Sequence, residues 1–134
     1  MTDAILSTQL MIQVNNKVGT VAEVTDTVSS SGINLVAVCA YAVDNNGFIM
    51  FVTDDNKRAK KLLVEKKYDV REEEIILLNM DNKPGMLHAV TRRIADCGID
   101  LTLIYGSVER KGKKSQVVLI SENNNAVLAA ITTM

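Results

Sequence analysis

"DNKPGMLHAVTRRIADCGID" (Asp81–Asp100) repeats something the chain has already written. The earlier version is "NNKVGTVAEVTDTVSSSGIN" (Asn15–Asn34). Asn16, Lys17, Gly19, Val24, Thr25, Gly32 and Ile33 recur as Asn82, Lys83, Gly85, Val90, Thr91, Gly98 and Ile99, always 66 positions later. Both copies open on Asn-Lys-x-Gly and close on Gly-Ile followed by Asn or Asp. Further along, the separation grows to 68, with "FVTDDN" (Phe51–Asn56) matching "LISENN" (Leu119–Asn124). The two extra residues are expected in a hairpin, "ERKGKKS" (Glu109–Ser115), where insertions are tolerated.

Working outward, each copy gives the same run of elements. In the first, Leu10, Ile12 and Val14 alternate with polar or long residues and predict a strand over Thr8–Val14. A glycine loop follows, then a helix over Thr20–Ser31 with Val21, Val24, Thr25 and Val28 on one face. Gly32 suits the left-handed residue that ends a helix. Strand Ile33–Val43 turns at "DNNG" into strand Phe48–Thr53, and Asp54 or Asp55 caps a second helix to Lys66. A last strand begins near Tyr68. The order is β-α-β-β-α-β, the split βαβ or ferredoxin-like arrangement.

The second copy predicts strand Glu74–Met80, helix Met86–Cys97, strands Ile99–Glu109 and Ser115–Ser121, and helix Asn124–Thr132. Its own last strand is missing. Residues Tyr68–Met80 hold neither Gly nor Pro, so they form one long strand shared by both copies, or two with a slight bend. The expectation is an α+β chain of two tandem modules, 1–72 and 73–134, with antiparallel sheets and helices on one face of each. On "INLVAVCAYAV", Ile33, Leu35, Ala37, Cys39 and Tyr41 should meet the helices, leaving Val36, Val38, Ala40 and Ala42 on the other face. That face is apolar, as are Ile75 and Leu77, so either the two sheets face each other or a second chain covers them.

Composition narrows the function. At 134 residues, 47% hydrophobic and with net charge −1, the chain is globular and carries no field for nucleic acid or anionic lipid. Aromatics at 4% and no Trp leave little for base stacking. No apolar run approaches the roughly 18 residues of a membrane span. Cys39 and Cys97 fit no zinc or redox spacing and suit a reducing, cytoplasmic setting. His88, the only histidine, has no positioned partner, so no catalytic residue, metal ligand or cofactor is expected. The Lys57–Lys67 run reads as a solvated helix face.

A hydrophobic strand, N-x-P-G-x-L, a helix and G-I-N/D opening the next strand resemble the ACT domain. "DNKPGML…CGIDL" (Asp81–Leu101) fits closely, and "NNKVGTV…SGINL" departs at Val18, where Pro is usual. The resemblance spans nearly the whole chain and is similar to stand-alone tandem ACT proteins that lack a catalytic domain. It implies regulatory small-molecule binding, most often of an amino acid, without enzyme activity, in a homodimer that can serve a metabolic enzyme. It also implies binding positions at Asn16, Gly19 and Asn34, and at Asn82, Gly85 and Asp100, with the loop neighbours Val18, Thr20, Pro84 and Met86. Some amino-acid-binding members carry a His two residues before the loop Asn, and here those places hold Val14 and Met80.

The residues give the same reading a physical basis. Gly19 and Gly85 let backbone approach a ligand at a helix start, where free N–H groups favour a carboxylate. Asn16 and Asn82 offer a donor and an acceptor together, and Asn34 or Asp100 could receive an ammonium group. Asn-Lys-x-Gly is equally a good turn, and Asn34 or Asp100 could simply bond the turn beside it. An interaction scaffold that binds no ligand is therefore the alternative.

Overall fold

The computed structural model describes residues 3–107 and 113–134. Its elements are β1 (Asp3–Asn15), α1 (Thr20–Ser29), β2 (Leu35–Val43), β3 (Asn46–Thr53), α2 (Asn56–Glu65), β4 (Asp69–Asp81), α3 (Met86–Asp96), β5 (Leu101–Ser107), β6 (Lys114–Ser121) and α4 (Asn124–Thr132). The strands hydrogen-bond in the order β2-β3-β1-β4-β6-β5. Two compact units result, Thr8–Glu73 and Met1–Ser7 with Glu74–Met134. The hairpin insertion expected in Glu109–Ser115 falls largely outside the described residues. Among the described residues no helix is long and apolar enough to cross a membrane.

The unit boundary answers the question of the missing strand. Two strands of 13 residues, β1 and β4, are each divided between the units. The first unit has the order β2-β3-β1-β4, using Thr8–Asn15 and Asp69–Glu73 of the long strands. The second has β5-β6-β4-β1, using Glu74–Asp81, with Asp3–Ser7 as the edge strand its own sequence lacks. Tyr68–Met80 is thus one long strand from Asp69 onward, the first of the two forms its composition left open, and β1 starts five residues earlier than its alternation indicated.

The alternation of each long strand stays in phase along its length. Leu10, Ile12 and Val14 of β1, with Tyr68 and Val70, pack on the first core with Val24, Val28, Phe51 and Leu63. Ala4, three repeats of the pleat before Leu10 on the same side, packs on the second core with Ile76, Leu78, Met80, Val90, Ile94 and Val127. Each fully buried Leu or Ile contributes roughly 1.5–3 kcal/mol. The opposite side also holds buried residues: Gln9, Met50, Val52, Ile75, Leu77 and Val118 are 0–9% exposed within the single chain. Gln9 donates its side-chain amide to Glu73 Oε1 at 3.2 Å.

The faces of β2 differ from the expectation. Ile33 and Leu35 do meet the first core. Past an irregularity between Leu35 and Ala37, Val38 pairs with Phe51 and Ala40 with Ile49, both core residues, while Cys39 pairs with Met50 and Tyr41 with Phe48. A bulge adds one residue, and because side chains alternate with period two, everything beyond it changes face. Val38, Ala40 and Ala42 therefore share the helix side, and Cys39 and Tyr41 lie opposite. The second copy repeats the device between Leu101 and Leu103. On α1 the buried face is Val24, Thr27 and Val28, with Val21 47% exposed.

Helix ends follow local chemistry. Asp55 caps α2 by accepting from the Arg58 N–H at 3.1 Å, and Asn123 caps α4 through the Ala126 N–H at 3.1 Å. After α3, Gly98 at φ 72° donates to Ala95 O and the Ile99 N–H to Ile94 O, a Schellman closure. After α2 the same closure is made by Lys67 at φ 71°, with bonds from Lys67 N to Val64 O and Tyr68 N to Leu63 O. A side chain in that left-handed region costs about 1 kcal/mol. Lys67→Gly is therefore expected to raise stability by about 0.5–1 kcal/mol, read as a higher urea midpoint at unchanged slope.

Candidate functional site

Both glycine loops adopt one geometry. Gly19 at φ 88° and Gly85 at φ 84° are the N-caps of α1 and α3, and neither helix has a side-chain cap. An added Cβ would meet nothing within 4 Å at either, so the glycines answer a backbone requirement and no crowding. The loops are tied at their bases by the Asn16 N–H to Asn45 O and the Asn82 N–H to Lys113 O, both 2.8 Å. Thr20 also donates its hydroxyl to Lys17 O at 3.0 Å.

Around the first loop lie two hollows that meet at Val14, Lys17 and Thr20. One, about 220 Å³, is walled by Val21, Ala40, Tyr41, Ala42, Phe48 and Ile49, with Asn16 at its edge. The Tyr41 and Phe48 rings stack with centroids 5.2 Å apart on the other face of the sheet, so these two residues border the hollow only along the strands. The other, about 470 Å³, is polar and is lined by Glu23, Asn46, Lys67, Tyr68 and Asp69. A larger hollow of about 740 Å³ lies between α3 and α4, at the end of α3 away from Gly85. Its Arg93 is committed to the end of α4, donating to Ala130 O at 3.2 Å and Thr133 Oγ1 at 3.1 Å.

Burial first, and then the bond to Glu23, push the Tyr68 hydroxyl up to about 12. The unfolded chain, with tyrosine near its ordinary value of about 10, loses this proton first as pH rises. Stability is therefore full below about pH 10 and falls as pH climbs toward 12. Urea unfolding at pH 9 and 11 should show a smaller loss for Tyr68→Phe than for the parent chain.

The structure separates residues that the sequence grouped. Asn34 is not beside Asn16 and Gly19. Its N–H bonds Asp54 Oδ1 at 3.0 Å and its carbonyl accepts from the Asp54 N–H at 3.1 Å, beyond the far end of β3. Eight strand residues at about 3.3 Å each put it about 25 Å from the loop. Asp100 is likewise tied to Glu122, through its N–H at 3.4 Å and the Glu122 N–H at 3.3 Å. Within one unit, the loop and the residue after Gly-Ile cannot hold the same small molecule. Val18 is fully exposed and lines neither hollow, Pro84 is exposed, and Met86 packs against the second core. Glu23, Lys67 and Tyr68 were missed, since only the folded chain brings α2's end to α1's first turn. Among the described residues no group of three His, Cys, Asp or Glu could hold a metal ion.

A model of the ACT domain pair matches residues 5–132. The chain belongs to the ACT domain pair family. Comparison with curated proteins returns no match. Among solved structures, this ACT pair is similar to protein BT0572 from Bacteroides thetaiotaomicron, at 24% identity and TM-score 0.89 over 97% of this chain and 89% of that one. It is also similar to the regulatory subunit of aspartate kinase from Thermus thermophilus, at 16% identity and TM-score 0.67 over 97% and 95%. Clostridium acetobutylicum aspartate kinase aligns at 9% identity and TM-score 0.60, covering 98% of the ACT pair and 33% of the kinase. These likenesses establish the shared ACT fold.

Proposed function

We propose that this ACT pair is a regulatory module without catalytic chemistry that binds an amino acid at its glycine loops. The observation that carries the reading is a left-handed glycine N-cap, with no side chain capping the helix, set between Lys17 and Thr20, which line both hollows. Amide hydrogens at a helix start, a lysine and a carboxamide suit a carboxylate ligand. Its setting would be the cytoplasm, and its target a metabolic enzyme, by analogy with the aspartate kinase subunits that share the fold. The test is a thermal-shift panel of the common amino acids at millimolar concentration. A ligand that selects the folded form raises the melting temperature. No shift with any of them removes the sensor reading.

A second reading, assembly without a ligand, is favoured by the edge strands. Val38, Tyr41 and Val43 on β2 and Ile104 on β5 are 44–54% exposed. A homodimer joined along such an edge would cover them. Light scattering should give twice the chain mass, and Val38→Lys should return it to a monomer. A monomeric parent chain sinks this reading.

A further inference from the structure

We propose that only the first loop is a working site and that it takes an amino acid with a neutral, apolar side chain. This rests on the amino-acid binding proposed above. The two hollows beside Lys17 and Thr20 differ in chemistry as the two ends of such a molecule differ. The polar hollow presents the cations Lys17 and Lys67 and the carboxylates Glu23 and Asp69, a matched set for a zwitterion. The apolar hollow continues from the same rim and has Lys17 as its single charged residue. A charged side chain placed there, against Val21, Ala40, Ala42 and Ile49, would lose water with no charged partner but Lys17, which the ligand's carboxylate takes. At about 220 Å³ it lies below the range of drug-sized sites, which fits a short aliphatic group.

The second copy keeps the glycine and the lysine but changes the surroundings. Thr20 becomes Met86, and Glu23 becomes Ala89, so the rim hydroxyl and the carboxylate are both gone. Val14 becomes Met80, a buried core residue, and Phe48 becomes Gln116. Asp81, at the base of this loop, is paired with Lys114 Nζ at 3.0 Å, where the first copy has uncharged Asn15 opposite Asn46. Same backbone and different walls separate a binding loop from a structural one.

Calorimetric titration of the full chain with valine, isoleucine and leucine, and with lysine, aspartate and serine, tests the inference. One aliphatic ligand per chain is expected, with at least tenfold weaker binding of the charged and hydroxyl-bearing set. Gly19→Ala and Gly85→Ala form a matched pair, since both strain a left-handed cap and neither adds a contact. Gly19→Ala should lose binding, and Gly85→Ala should keep it, with circular dichroism confirming that both fold. Two ligands per chain, or loss in Gly85→Ala alone, overturns the assignment to the first loop. Binding of a charged or hydroxyl amino acid in place of an aliphatic one overturns the chemical class and leaves amino-acid sensing intact. No heat with any of the six overturns both.

Discussion

Removing residues 1–7 should leave the first unit folded and unravel the second. The second unit's edge strand is Asp3–Ser7, and without it β4 presents an unpaired edge along Glu74–Asp81 while Ala4 leaves the second core. Ladder hydrogen bonds contribute about 0.5–1.5 kcal/mol each, so losing a five-residue strand costs roughly 3 kcal/mol. The first unit keeps all four of its strands, because its share of β1 begins at Thr8. Hydrogen exchange read by mass spectrometry should show faster exchange through β4's second half and β6, with β3 protected as in the full chain. Uniform acceleration across both units, or none, would contradict the division of the long strands. Exposure of a bare edge also predicts that the shortened chain self-associates.

Asn56→Ala should be the costliest single substitution on a polar residue of the first unit, at about 2–3 kcal/mol. Its Oδ1 accepts from the Thr53 N–H at 2.9 Å and the Thr53 hydroxyl at 2.7 Å. Its Nδ2 donates to Thr8 O at 2.8 Å and Thr8 Oγ1 at 3.1 Å. One side chain thus fastens the end of β3 and the start of α2 to β1. Asn124 does the same in the second unit, accepting from the Ser121 N–H and hydroxyl at 2.9 and 3.1 Å and donating to Glu74 O at 3.2 Å. Several bonds at about 0.5–1.5 kcal/mol each give the magnitude. Asn56→Asp keeps the acceptor and loses the donor, so it should cost less than alanine but more than nothing. Urea denaturation ranks the three. Equal stability of parent and Asn56→Ala would show that water replaces the whole bracket.

The repeat made most of the fold legible before any coordinate was known. It set the order of elements and the α4 span Asn124–Thr132, because loop glycines and alternation are local signals, and left β4 as one long strand or two. What stayed hidden depended on distance in space. "DAILS" (Asp3–Ser7) does not alternate cleanly, with Ile5 and Leu6 53% and 40% exposed, and its partner strand lies some 70 residues away. The bulges in β2 and β5 reverse a face without any glycine or proline to mark them. Asn34 looked like a neighbour of Asn16 because both flank α1, yet the helix carries the chain to the other end of the sheet. The paired asparagines were visible in "TDDN" and "SENN", but a bracket cannot be told from a cap without β1 in place.

A ribosome meets this architecture in an awkward order. The strand that completes the second unit is made before the whole of the first unit, while β6, which flanks β4 on its other side, ends at Ser121. By the time Glu73 is joined, the first unit has all its residues, but the Asp3–Ser7 end has no mate. At about 5–20 residues per second its mate, Glu74–Asp81, follows within about 0.4–2 s, but β6, which closes β4's other edge, is complete only at Ser121, roughly 2–10 s after Glu73. A nascent chain of this kind has a timed vulnerability in its second unit, and slow codons between Glu74 and Ser121 would lengthen it.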